Sequence, residues 1–253
     1  MIVVMAAMRE ELQGLKRAMT VGQSRGEGDY LLHEGTYLGK ELLLVQTGMG
    51  RRRATEAAEL VVARFQPALI LSTGYAGALD GCLGAGNIFI YSSIYGITGE
   101  LPRPEATLSP ALSPQQHLVS LAMAILSQAG MAFSCGAGIT ATRVAPDPAT
   151  KRWLGQLSSA QAVDMESYWI AQVALQAGIP CLVARAISDT LEQDLSPMLR
   201  FAKIDGTWNK GQAALYFLVR PWQVPKAVGY SRNVRRARRQ LTRFLKSLIG
   251  AWQ

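Results

Sequence analysis

Three acids stand where apolar runs of this chain give out: Glu11 in "MIVVMAAMREEL", Glu166 in "AVDMESYWIA" and Asp189 in "CLVARAISD". A fourth, Asp164, lies two residues before Glu166, with Met165 between them. Carboxylates seldom sit among apolar residues unless something pairs with them. Two consecutive strands that deliver acids at their ends look like two sides of one site, because ligands of open α/β sheets bind beyond the carboxyl ends of the strands. The two histidines, His33 and His117, are isolated, and Cys82, Cys135 and Cys181 form no C-x-x-C pair. A metal centre or a histidine-based triad therefore has little to be built from, and neither disulfides nor a metal is expected. Each acid also has a plainer use: Glu11 and Glu166 as first-turn helix acids, Asp189 as a cap.

The elements that must carry these residues follow from periodicity. Residues 1–7 read as a buried strand feeding a helix at 8–19, and not as a signal peptide. "YLLHEGTYLGKELLLVQTG" reads as a hairpin with Gly35 and Leu38-Gly39 near its turn, and "GMGRRRATEAAELVVARF" as a glycine loop opening a helix. "PALILSTGYAGAL" is a strand ending on Gly74-Tyr75-Ala76-Gly77, glycines suited to a tight turn, and "GNIFIYSSIY" is a second β-rich run. Residues 99–114, with four prolines, form an irregular connection. A helix near 115–129, a strand at 133–140, a helix near 147–157, and the two acid-bearing strands follow. Strands alternating with helices predict an α/β three-layer sandwich around a mixed, mostly parallel twisted sheet. The domain is placed at 1–206, with a basic, aromatic-rich helical extension at 207–253 packed on it.

Charge is uneven. Of 26 Lys and Arg, ten fall from Gly206 onward, where no acid occurs; sixteen remain against 18 acids, a net of −2 for the body. In the extension Val234, Ala237, Leu241, Leu245 and Leu248 form one helical stripe, widened by Phe244, Ile249 and Trp252, while Arg235, Arg236, Arg239, Arg243 and Lys246 line the other side. Such a helix either docks on its domain or lies on an anionic membrane, where Trp208, Tyr216, Phe217, Trp222 and Tyr230 would suit the interface. Nucleic acid is not an expected partner, since no recognition motif accompanies the charge. No apolar run approaches the ~18 residues that span a bilayer, and scattered cysteines point to a reducing cytoplasm, with contact at the membrane's inner face through 231–253.

Read in order, "VVMAAMREEL", "LLLVQTGMGRRRA", "ILSTGYAGAL", "VDMESYWIA" and "VARAISDT" resemble the nucleoside phosphorylase and nucleosidase superfamily, chiefly its methylthioadenosine/S-adenosylhomocysteine nucleosidase-like branch. The resemblance implies cleavage of a ribosyl–purine bond. It places Glu166 on the ribose hydroxyls, Met165 against the sugar and Asp189 at the purine N7 as general acid with a raised pKa. Glu11 would activate water, with Arg185 beside it, and Gly74, Tyr75 and Ser188 would line the substrate. Three departures stand out. Asp164 replaces the family's usual Glu, Tyr75 stands where a small Ser is common, and Arg143 or Val144 must face the purine where an aromatic is expected. Phosphorolysis in place of hydrolysis would need an anion site, for which Gly50 and Arg51, with Arg52 and Arg53, at a helix N-terminus are the candidates; phosphate as co-substrate is the one cofactor-like partner in view. The Asp-Met-Glu-Ser variant, the "DG" at 205–206 and the long tail look like the hopanoid-associated nucleosidases. That likeness implies a lipid-linked adenosine, adenosylhopane, as substrate; the alternatives are a soluble methylthioadenosine, S-adenosylhomocysteine or futalosine-type nucleosidase and a catalytically silent nucleoside-binding scaffold. The family likeness also implies a homo-oligomer.

Overall fold

The computed structural model describes residues 1–99, 102–103, 106–199, 201 and 220–252. The aromatic residues Trp208, Tyr216 and Phe217 and the Asp-Gly at 205–206 lie outside the described residues. Strands β1 (Ile2–Ala6), β4 (Lys40–Gln46), β5 (Leu69–Ala78) and β10 (Cys181–Asp189) run parallel side by side at the centre. On one side β4 continues antiparallel into β3 (Tyr30–Tyr37) and β2 (Thr20–Glu27). The turn between β3 and β4 takes Leu38 and Gly39 at φ 52° and 76°, the positive values that a two-residue hairpin turn requires. On the other side β10 pairs antiparallel with β6 (Ile88–Thr98), β6 parallel with β8 (Phe133–Thr140), β8 with β9 (Ala162–Asp164), and β9 returns antiparallel to β5. Five strands thus close into a ring, which brings the ends of β5, β9 and β10 together. A short β7 (Thr107–Leu108) pairs with β6 inside the segment expected to be irregular.

The sheet is covered on both faces, and the period-2 rule sorts its side chains. Ile2, Val4 and Ala6 of β1 face one layer, with Leu12 and Leu15 of α1 (Arg9–Lys16) and the apolar stripe of α3 (Gln116–Gln128). Val3 and Met5 face the other layer, against Ala54, Ala57, Ala58 and Val61 of α2 (Arg51–Phe65) and the apolar side of α5 (Ser167–Gln176). Helix α4 (Pro148–Ser158) closes the end near β8 and β9, its N-terminus capped by Asp147 accepting from the Thr150 amide at 2.9 Å. A single turn, α6 (Ser196–Leu199), follows β10.

The final helix, α7 (Val224–Ala251), sends Ala237, Leu241, Phe244, Leu245, Leu248 and Ile249 into the first of these layers. Gly14 of α1 gives it room, because any Cβ there would collide with Thr242. Lys40 from the hairpin caps its last turn, donating to the carbonyls of Ile249 and Gly250 at 3.0 Å and to that of Trp252, the favourable placement of a cation at a helix C-terminus. The stripe that suited a membrane surface is therefore spent on the core. The apolar residues that α7 and the turn before it leave outward are others: Trp222, Val224 and Val228.

Candidate active site

The ends of β5, β9 and β10 and the start of α1 meet at a cavity of ≈ 180 Å³, and Glu11, Glu166 and Asp189 all line it. Tyr75, Arg143, Val144, Asp164, Met165 and Ser188 line it too, so these sequence-derived candidates come together. Arg185, Gly50 and Arg51 do not line it, and Gly74 stands just behind the wall.

Glu11 is delivered by the first turn of α1 and is almost wholly buried. One carboxylate oxygen accepts from the Met8 amide at 2.7 Å and the other from the Tyr75 amide at 2.8 Å. Burial pushes its pKa up from 4.5 to about 7, against the opposing pull of Arg185 and of those two amides. Glu166 stands at the head of α5, accepts from the Gly50 amide at 3.0 Å, and is likewise raised by burial to about 7 against the pull of Arg185. Both acids are thus poised near neutrality, where a group can take a proton and give it back.

The glycines of β5 do more than turn the chain. Gly74 and Gly77 lie inside the strand, and a Cβ on Gly74 would come within 2.6 Å of a Glu11 oxygen, at a φ of +143° that side chains rarely adopt. A Cβ on Gly77 would come within 2.9 Å of an Asp189 oxygen. Each glycine makes clearance for one acid.

Arg185 sits one layer back. It is 1% exposed and lies behind the cavity wall. Its guanidinium donates to the Thr73 carbonyl at 2.7 Å and to the hydroxyls of Ser167 at 3.0 Å and Ser72 at 3.4 Å. It also sits 3.4 Å from Asp164 and 3.9 Å from Glu166. So placed it supports Asp164 and Glu166 from behind the cavity wall and does not line the cavity itself. Asp164 is drawn inward as well. One of its oxygens accepts from Thr140 at 3.0 Å and from the amides of Glu166 and Ser167 at 2.9 and 2.8 Å, which fixes the turn into α5.

The candidate anion loop "GMGRRR" has its donors engaged within the protein. The Gly50 amide is occupied by Glu166, and the Arg51 guanidinium stacks 4.3 Å over the Trp169 ring. Arg52 pairs with Glu56 and Asp29, and Arg53 with Asp29. Only Met49 of this loop reaches the cavity.

Asp189 has two close side-chain partners. Lys151 of α4, fully buried, reaches one oxygen at 2.6 Å, and Ser188 donates to the other at 2.7 Å. The sequence offered one sign of this: Lys151 occupies the buried stripe of α4 with Leu154 and Ser158, where an apolar residue would be usual. Tyr230 of α7 was also unforeseen as a site residue; it lines the cavity opposite Asp189, and burial holds its hydroxyl well above the ordinary tyrosine range.

The mixed sheet between two helical layers, with acids gathered at the strand ends, defines a nucleoside phosphorylase-type fold. Solved structures agree: a 5'-methylthioadenosine/S-adenosylhomocysteine nucleosidase from Neisseria meningitidis superposes with a TM-score of 0.78 over 99% of both chains at 18% identity. Futalosine hydrolase of Helicobacter pylori does so with a TM-score of 0.78 over 99% of this chain and 97% of its own, at 19% identity. The sequence profile of the Phosphorylase superfamily matches residues 1–220. A 5'-methylthioadenosine/S-adenosylhomocysteine nucleosidase of Shewanella oneidensis is 30% identical over 204 residues, 76% of this chain and 84% of its own. One of Staphylococcus epidermidis is 28% identical over 202 residues, 75% and 86% respectively. The chain belongs to the phosphorylase superfamily and is an enzyme of it.

Proposed function

We propose that this enzyme is a purine nucleosidase that releases adenine from a 5′-substituted adenosine, with water as nucleophile. The observation that carries the reading is the convergence of Glu11, Glu166 and Asp189 on one cavity. Breaking the bond between C1′ and the purine passes through a sugar with oxocarbenium character, as in glycoside hydrolysis. Glu166 grips the ribose hydroxyls and brings negative charge beneath the developing cation, with Met165 packed against the ring. Glu11, raised to about 7, accepts a proton from the water that adds to C1′. The C1′–N bond electrons leave with the purine, which takes a proton at N7 from the side of Asp189. Acid–base steps of this kind contribute about 10²–10⁴-fold each. Water is favoured over phosphate because the Gly50 amide and Arg51 to Arg53 are engaged elsewhere.

For the 5′ substituent we propose an apolar lipid, adenosylhopane being the candidate that the sequence likeness names. Leu195, Leu199 and Tyr230 extend the cavity wall in apolar side chains, and α7 runs from Tyr230 back to the exposed Trp222, Val224 and Val228, with Lys226, Arg232 and Arg235 also exposed. That surface would rest on anionic lipid. The relatives named for methylthioadenosine and S-adenosylhomocysteine favour a second reading, a soluble nucleosidase for those substrates.

Incubation with adenosylhopane in mixed micelles and with methylthioadenosine, each with and without phosphate, separates these readings by free adenine. Phosphate-independent release, faster from the lipid-linked nucleoside, is expected. Release from neither refutes the enzyme reading, strict phosphate dependence refutes water, and preference for methylthioadenosine refutes the lipid. Sedimentation with vesicles containing phosphatidylserine should fall several-fold in a Trp222→Ala, Val228→Ser variant; unchanged sedimentation removes the membrane surface. Light scattering on the purified protein tests the homo-oligomer, which a monomer mass would refute.

A further inference from the structure

Lys151 has no part in the mechanism above, yet it is the one ammonium buried against an acid of the cavity among the described residues. Its Nζ lies 2.6 Å from Asp189 Oδ2, 2.8 Å from the Thr190 carbonyl and 3.1 Å from the Gln193 carbonyl. An ammonium has three N–H donors, and three acceptors surround this one, so its charged form is the one the site satisfies. The other Asp189 oxygen accepts the Ser188 hydroxyl. Both Asp189 oxygens are thus engaged as acceptors. The nearest proton is on Lys151. Removing two charges from water is costly unless the pair is well hydrogen-bonded, and an apolar pair of similar volume would often be as stable; fold stability alone is a weak reason for this one.

We propose that Lys151 is the proton reserve for Asp189, so that the two residues hold between them the one proton given to the leaving purine. As the C1′–N bond breaks and its electron pair moves onto the base, an Asp189 oxygen passes a proton to the purine and receives one from Lys151. The Nζ–H bond is broken, an N–H bond on the purine is made, and the pair is left as a neutral amine and a carboxylate. After the base departs, the proton that Glu11 took from the attacking water is released to solvent and one from solvent restores the ammonium, so that no net proton is consumed. Lys151 touches no substrate and acts through Asp189, so it is a positioning residue. The proposal rests on the assignment of Asp189 as the acid at the purine.

Among the described residues, Glu166 and Arg143 share the cavity with Asp189. Glu11 from α1 and Tyr230 from α7 face Asp189 across the cavity, and Asp147 at the head of α4 faces Lys151. Arg152 and Glu192 pair with one another on the exposed side. A plainer role is that Lys151 fastens the loop after β10 through the carbonyls of Thr190 and Gln193. Lys151→Gln separates the two, since an amide can still donate to the carbonyls but has no proton to relay.

The expected result for Lys151→Gln is a fall in kcat for adenine release of about 10²-fold or more, with KM within a few-fold of the parent. The alkaline limb of its kcat–pH profile should move down by about one pH unit or more, because the proton must then come from the carboxyl alone. Hydrolysis of 4-nitrophenyl riboside, whose leaving group needs no proton, should be little changed. An unmoved alkaline limb, or equal losses on both substrates, overturns the proposal. Should that variant not fold, Lys151→Met is read in the same two assays against the same criteria. Asp189→Asn is the control: if it retains adenine release, the assignment of Asp189 fails; if it loses it while Lys151→Gln shows equal losses on both substrates, only the relay fails.

Discussion

Replacing Glu11 by Gln tests whether the carboxylate proposed to activate water is held at a cost to the fold. Raising a buried carboxyl from 4.5 to about 7 means that the folded state binds the proton more tightly than the unfolded one. Stability is then fully present below the unfolded value and is lost as pH rises through the folded one. The penalty at full ionisation is about 3 kcal/mol, most of it developing between pH 5 and pH 8. Gln carries no such penalty, but it turns an amide N–H₂ towards one of the two backbone amides that Glu11 accepts, costing about 1–3 kcal/mol at every pH. The variant should therefore be no more stable than the parent at pH 5 and should gain on it steadily towards pH 8. Its Glu166 neighbour pushes in the same direction, since the Glu11 charge is among the causes that raise it. For a domain of this size, a gain of about 2–3 kcal/mol corresponds to a relative rise in Tm of roughly 4–12 °C. Thermal melts of both proteins at pH 5, 6, 7 and 8 measure this, and adenine release at pH 7 should drop about 10²–10⁴-fold in parallel. A difference in Tm that stayed constant across the range would refute the reasoning, because it would mean that Glu11 ionises as it does in the unfolded chain.

Two further outcomes follow from packing around the acids. Gly77→Ala puts a methyl group 2.9 Å from Asp189 Oδ2, so it should disturb the acid at the base more than the fold, with kcat falling tenfold or more while Tm changes by only a few degrees; steady-state kinetics and a melt check it. Arg185→Met leaves Asp164 and Glu166 buried without their counter-ion and should destabilise by about 3–5 kcal/mol, measured by urea unfolding at pH 7, with a smaller loss at pH 5.

Much of the fold was legible because the strands that position the site are continuous apolar runs with clear stops. The expected strand at 133–140 matches β8, and of the residues expected near the hairpin turn Leu38 and Gly39 form it while Gly35 lies inside β3. Strand β2 was not legible: "TVGQSRGE" is an edge strand with mostly exposed side chains, so no burial pattern marks it. The three acids could be read as strand-end residues, but nothing local distinguishes Arg185, a cation inside a strand, as a support from Arg185 as a contact. That difference depends on Thr73, Ser72 and Ser167 arriving from other elements. The helical stripe of 237–249 was visible as amphipathic, and only the position of α1, α3 and β10 decides that protein and not lipid covers it. Lys151 and Asp189 are 38 residues apart, and their meeting is a product of topology that no spacing encodes.

The docking of α7 joins parts of the chain that lie far apart in sequence: Lys40 and the carbonyl of Ile249 are 209 positions from one another. Closing so long a loop adds little to the equilibrium penalty, about 0.6 kcal/mol for each doubling of length, but distant pairings slow the search for the native state. Until that helix arrives, Leu12, Leu15 and the inner side of β10 keep only part of their cover, from β1, β4 and α3, so a nascent or refolding chain would present an incompletely covered apolar layer to its neighbours. Refolding yield should accordingly depend on protein concentration far more than final stability does.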